Sequence, residues 1–98
     1  MIALHASTEQ LAVLCRRHHV RELCVFGSVA RGDARPDSDV DLLVEFERSA
    51  RVGFIALARL TRELEELFQR RVDVVTKNGL HPRIRDAVLA EAEVLFAA

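Results

Sequence analysis

Several protein classes are excluded by what the sequence has little of. Its two cysteines, Cys15 and Cys24, form no CxxC and no obvious pair, so no disulfide framework is written in it. They are expected to be buried thiols of a reduced, cytoplasmic protein. No apolar run approaches the roughly 20 residues that a membrane span needs. The opening Met1-Ile-Ala-Leu-His5 lacks the basic start and long apolar stretch of a signal peptide. Neither charge sign dominates: 14 Lys+Arg stand against 15 Asp+Glu, for a net charge of −1. A domain living on nucleic-acid backbone usually needs a basic face, so direct nucleic-acid binding is not expected. There is no internal repeat, linker or low-complexity tract. Neither a Gly-Lys-Ser/Thr phosphate loop nor a GxGxxG occurs.

What is present is half hydrophobic and 30% charged over 98 residues, the profile of a globular chain forming one domain, 1–98. Such a chain buries only about 60–70% of its unfolded surface, so subunit contact, homo- or hetero-oligomeric, would supplement its core. Ser7-Thr-Glu-Gln10 resembles a capping box. Leu11, Leu14, Cys15 and His18 follow at helical spacing, which predicts an amphipathic helix over 8–19. Glu22 to Phe26 is short and apolar and predicts a buried strand, punctuated by Gly27.

Residues 27–38, with two glycines and one proline, predict a loop containing a short helix begun at Ser28. In Asp39-Val-Asp-Leu-Leu-Val-Glu-Phe46, Val40, Leu42, Val44 and Phe46 share one strand face, while Asp39, Asp41, Leu43 and Glu45 share the other. A helix is expected from Gly53 to Gln69, with Glu66 and Arg70 spaced to pair one turn apart. Arg71 to Thr76 is β-branched and strand-like. Lys77-Asn-Gly79 turns the chain, and Pro82 opens a further helix. Glu93 to Phe96 fits either a closing strand or a continued helix. The order implies an α/β (α+β) fold, a small parallel or mixed sheet covered by helices.

The chemistry concentrates in two places. Asp39 and Asp41, at i and i+2 on one strand, point the same way with Cα atoms about 7 Å apart. All-oxygen ligands suit Mg²⁺, which takes one or two carboxylates and shares phosphate oxygens. A carboxylate pair can hold two ions about 3.5–4 Å apart, one beside an attacking oxygen and one beside a leaving phosphate. Alone, an Asp-x-Asp is more often solvated surface. Upstream, Gly27 allows close approach of a ligand to backbone, and Ser28 sits where a turn aims N–H groups outward. Alone, that is an ordinary strand-to-helix turn.

Together, Phe26-Gly-Ser-Val-Ala-Arg-Gly-Asp-Ala-Arg-Pro-Asp-Ser-Asp-Val-Asp-Leu-Leu-Val44 resembles the signature of the polymerase-beta nucleotidyltransferase superfamily. It is the Gly-Ser pair, ten intervening residues and Asp-x-Asp that carry the likeness. Within the superfamily the whole chain resembles the minimal nucleotidyltransferases (MNT), antitoxin halves of HEPN/MNT toxin–antitoxin pairs. The resemblance implies that Gly27 and Ser28 bind the triphosphate and that Asp39 and Asp41 bind metal. It implies that Asp73 supplies a third carboxylate, as metal ligand or as base near the acceptor hydroxyl. Arg31 fits the family loop too, either touching phosphate or paired with an aspartate.

The implied activity is transfer of a nucleoside monophosphate, AMP from ATP with two Mg²⁺, to a hydroxyl. The implied acceptor is a tyrosine of a HEPN toxin. The alternatives are a binding subunit that neutralises its partner by occlusion and a small-molecule transferase of the aminoglycoside-modifying kind. Apolar helix faces near Leu57–Phe68 and Ile84–Leu89 are candidate interfaces. Cys15 with His18 or His19 has helical spacing for zinc but lacks two further evident ligands. His5 and His81 fit surface or capping positions, and Arg48, Arg51, Arg59, Arg62, Arg70 and Arg71 fit a solvated or partner-facing surface.

Overall fold

The computed structural model describes residues 7–98; His5 and most of the opening segment lie outside them. The capping box forms as expected. Ser7 Oγ accepts from the Gln10 N–H at 3.0 Å, and Gln10 Oε1 accepts from Ser7 N–H at 3.4 Å. Helix α1 (Thr8–Arg17) stops two residues earlier than its apolar period suggested, because His19 takes a left-handed φ of 59°. Strand β1 (Val20–Phe26) runs directly into a five-residue helix, α2 (Gly27–Arg31), which Gly32 closes at φ 83°. Strand β2 (Val40–Phe46), helix α3 (Phe54–Phe68) and strand β3 (Val72–Thr76) follow. A single 3₁₀ turn at Lys77–Gly79 leads to helix α4 (Pro82–Glu91) and strand β4 (Glu93–Ala97). His81 caps α4 by accepting the Arg83 N–H on Nδ1 at 3.1 Å.

The four strands form one mixed sheet in the order β3-β2-β1-β4. The β2–α3–β3 unit supplies its parallel pair, and β1 lies antiparallel to both β2 and β4. The undecided tail is therefore a strand. Ala92 takes an extended conformation (φ −65°, ψ 138°), and the next residues find a ladder partner along β1, with Leu23 opposite Phe96. The Arg16 guanidinium lies 5.8 Å from the Phe96 ring centroid, which ties this edge strand to α1.

The pleat sorts side chains to two covers. Leu11, Leu14 and Cys15 of α1 and Leu60, Leu64 and Phe68 of α3 pack on Leu23, Val25, Val40, Leu42 and Val44. Val29 of α2 reaches the same cluster. The opposite side of the sheet carries a smaller cluster of Cys24, Leu43, Leu80 and Val88, with Val88 coming from α4. Leu43 is accordingly 3% exposed, although it shares a pleat face with the acids. That face is apolar and covered along most of its length, and open only where β2 begins. Burial pushes both thiols up to about 11, for Cys24 with help from the Glu22 carboxylate. His18, spaced for zinc with Cys15, instead meets Glu63 Oε2 at 2.7 Å.

Candidate active site

The site lies on the α4 side of the sheet, at the end where β1 finishes and the parallel strands β2 and β3 start. Register builds it. Asp41 stands beside Phe26 on one flank and beside Asp73 on the other. Residues directly opposite in neighbouring strands project to the same face, with backbones about 4.8 Å apart. Asp73 therefore faces the way Asp41 does, while Val40 and Val72 on the other pleat face join the main core.

Gly27 closes the corner. Its φ is 73°, and an added Cβ would strike Asp41 Oδ2 and lie 3.2 Å from Asp41 Cγ. Glycine is needed twice over here: for the left-handed backbone and for contact with the carboxylate. Ser28 follows in α2, half-buried. Burial pushes the Asp41 carboxyl above the ordinary carboxylate range. The charges of Asp73 and then Asp39 push it further, and Arg31 partly opposes them. A carboxylate with two acidic neighbours and incomplete hydration is a cation-seeking group.

Asp39 sits just outside β2 rather than in it, and its half-exposed carboxylate pairs with Arg71 Nε at 3.4 Å. Among the described residues, no three His, Cys, Asp or Glu side chains are gathered closely enough to hold an ion as they stand. The set still suits Mg²⁺, since all three side chains are carboxylates and Asp41 lies among like charges that Arg31 offsets only in part. Arg31 is paired with two acids here. Its Nε reaches Asp33 Oδ2 at 3.4 Å and its Nη1 reaches Glu91 Oε2 at 3.4 Å.

Three contributors were not singled out from the sequence. Glu91, at the end of α4, accepts the Gly27 N–H at 2.9 Å. Arg70 does not pair with Glu66. Its Nη2 donates to the carbonyls of Arg35 at 3.2 Å and Ser38 at 2.6 Å, pinning the loop that delivers Asp39. Arg71 holds Asp39 itself, and its carbonyl accepts the Val40 N–H at 2.9 Å. None of the three had a local signal, since each acts across a long stretch of chain. Cavities of about 530, 800 and 500 Å³ lie elsewhere, lined by α1, α3 and the far ends of the strands. None of them includes Asp39, Asp41 or Asp73.

Residues 8–95 match the family model described as the nucleotidyltransferase domain. The protein adenylyltransferase MntA of Thermococcus cleftensis is 45% identical over 78 residues, 80% of this chain and 77% of that protein. A solved structure described as a minimal nucleotidyltransferase is 50% identical, with a TM-score of 0.74, covering 88% of this chain and 86% of its own. The complex of a tri-AMPylated HEPN toxin of Shewanella oneidensis with its MNT antitoxin shares the fold. Its matching chain has a TM-score of 0.66 at 18% identity and covers 93% of this chain and 70% of its own. Among the described residues no helix is long and apolar enough to cross a membrane.

Proposed function

The chain belongs to the nucleotidyltransferase domain family, and on that premise we propose that it is a Mg²⁺-dependent protein adenylyltransferase. It would move AMP from ATP to a tyrosine hydroxyl of a HEPN-type toxin and so act as its antitoxin. The observation that supports this most is the in-register pairing of Asp41 with Asp73, with Gly27 packed against the Asp41 carboxylate. The adenylyltransferase relative and the AMPylated toxin complex point to the same reaction class.

In the reaction the acceptor oxygen bonds to the α-phosphorus as the bond from that phosphorus to the β-bridging oxygen breaks. Pyrophosphate leaves, and the hydroxyl proton passes to a base. Gly27 and Ser28 cradle the triphosphate through backbone N–H groups and the Ser28 hydroxyl. Asp39, Asp41 and Asp73 are the residues that would hold two ions, with Asp39 exchanging its exposed Arg71 partner for a cation. Asp73 would serve either as the third metal ligand or as the base for the hydroxyl. Bound ions would supply charge neutralisation at the attacking and leaving oxygens, which with positioning accounts for most of such catalysis.

Phe54 is 92% and Ile55 76% exposed at the start of α3, apolar surface of the kind a partner covers. That exposure also favours a second reading, in which the chain neutralises its partner by occlusion alone.

The test is incubation of the protein with labelled ATP, Mg²⁺ and a HEPN-type toxin. Wild type should transfer label, and mass spectrometry should find one or more AMP units on tyrosine. Asp41→Asn should transfer none. Transfer that persists in Asp41→Asn would sink the metal assignment. Inhibition without transfer, surviving Asp39→Ala and Asp41→Ala, would favour occlusion.

A further inference from the structure

One carboxylate at the glycine corner has no part in the function proposed above. Glu91 closes α4, far along the chain from Gly27, yet Oε1 accepts the Gly27 N–H at 2.9 Å. Arg31 Nη1 donates to the same carboxylate at 3.5 and 3.4 Å. A carboxylate held by a backbone N–H and a guanidinium satisfies the donors that a phosphate oxygen would take. Glu91 also adds negative charge to the surroundings of Asp41, so its seat there is held by these donors against repulsion from the acids. Asp33 shares Arg31 at 3.4 Å and is not a partner of the Gly27 N–H. Ala92, next along, is already extended, so the Glu91 side chain can leave without unwinding a continuing helix.

We propose that Glu91 is an internal competitor of the triphosphate, occupying the Gly27 N–H and Arg31 until a nucleotide displaces it, and thereby setting the affinity for nucleotide. This rests on the assignment of Gly27 to the triphosphate made above, and adds Arg31 to the groups that would bind it. The Kd measured for a nucleotide equals the intrinsic one divided by the fraction of molecules whose site is free. A carboxylate seated about nine-tenths of the time therefore weakens binding about tenfold.

The experiment is calorimetric titration of Mg·ATP into wild type, Glu91→Ala, Glu91→Asp and Asp33→Asn, each first checked for its thermal transition. Glu91→Asp keeps the charge but withdraws the carboxylate by one methylene. Competition predicts a Kd lower by about tenfold in Glu91→Ala and lower by at least a few-fold in Glu91→Asp, with a smaller gain in Asp33→Asn, which frees Arg31 but leaves the Gly27 N–H occupied. Equal or weaker binding in both Glu91 variants overturns the proposal. A gain confined to Glu91→Ala, or matched by Asp33→Asn, reduces Glu91 to a general charge effect and overturns it equally. Wild type that fails to bind Mg·ATP, with every variant failing alike, overturns the nucleotide assignment first and this inference with it. A second measurement needs no substitution: titrating wild type with inorganic tripolyphosphate should shift the Gly27 amide and the Glu91 side-chain carboxyl resonances together. A Gly27 shift that leaves the Glu91 carboxyl unmoved counts against displacement.

Discussion

Replacing Gly27 with alanine perturbs the site at one atom and isolates two separable costs. The backbone there has φ 73°, and a left-handed conformation costs a residue with a Cβ about 1–2 kcal/mol. The new Cβ also strikes Asp41 Oδ2 and lies 3.2 Å from Asp41 Cγ. The carboxylate is the free end of a side chain, so it would turn away rather than break the sheet, at about 1 kcal/mol for the off-rotamer position. Together these lower stability by about 2–3 kcal/mol. At about 4–8 °C per kcal/mol for a domain of this size, the melting temperature falls by roughly 10–20 °C.

The assay is a double-mutant cycle by urea denaturation of wild type, Gly27→Ala, Asp41→Ala and the double variant. Asp41→Ala removes the struck carboxylate but not the dihedral cost. In that background Gly27→Ala should therefore cost about 1 kcal/mol less than in wild type. A Gly27→Ala variant as stable as wild type, or a coupling energy of zero, refutes the contact between the glycine corner and the metal-seeking acid.

Other expectations follow from the same geometry. The Asp41 carboxyl is held above the ordinary carboxylate range, so between the unfolded and folded values the folded state binds the extra proton. Its contribution to stability is present at low pH and is lost as pH rises through the raised value. The stability difference between Asp41→Asn and wild type, followed by denaturation from pH 3 to 8 without divalent ions, should grow in favour of the variant; a difference constant with pH would contradict it. Added Mg²⁺ should raise the melting temperature of wild type but not of Asp41→Asn, read by differential scanning fluorimetry. Arg70→Ala strands the carbonyls of Arg35 and Ser38. It should cost about 1–3 kcal/mol and speed amide exchange across residues 33–39. Cys15 and Cys24 are buried, with thiols pushed up to about 11. Ellman's reagent at pH 8 should therefore react with neither until the protein unfolds.

Local rules made much of this legible. The Ser7–Gln10 box, the period of α3, the alternation in β2 and the Gly27-Ser28 corner all depend on neighbours within one turn or one pleat. The family resemblance put Asp39, Asp41 and Asp73 in one set; the fold sets Asp73 beside Asp41 and leaves Asp39 paired with Arg71. What stayed hidden was long-range. Alternation gives the parity of Asp73 along its strand, but only the parallel register places it beside Asp41. The Glu93–Ala97 tail was ambiguous because a short apolar run takes its structure from whatever edge it meets, here β1. Arg70 was assigned to its helical neighbour Glu66, but the loop carbonyls of Arg35 and Ser38 are the unsatisfied acceptors within its reach, and tertiary need prevailed. Glu91 carried no motif at all; it reaches the site because α4 packs Val88 over Cys24 and Leu43.

The pleat that turns Asp41 and Asp73 outward turns Val40, Leu42, Val72 and Val74 into the cluster beneath α1 and α3. Shifting either strand by one position would turn its acid into that core and its leading valine, Val40 or Val72, out at the open end, a costly exchange. Spacing between the two carboxylates is thus underwritten by hydrophobic free energy rather than by anything at the surface. In the proposed reaction that side would have the rigidity of the interior, and adjustment to a substrate would fall to Asp39, Arg31 and Glu91, which are held by side-chain contacts rather than by the core.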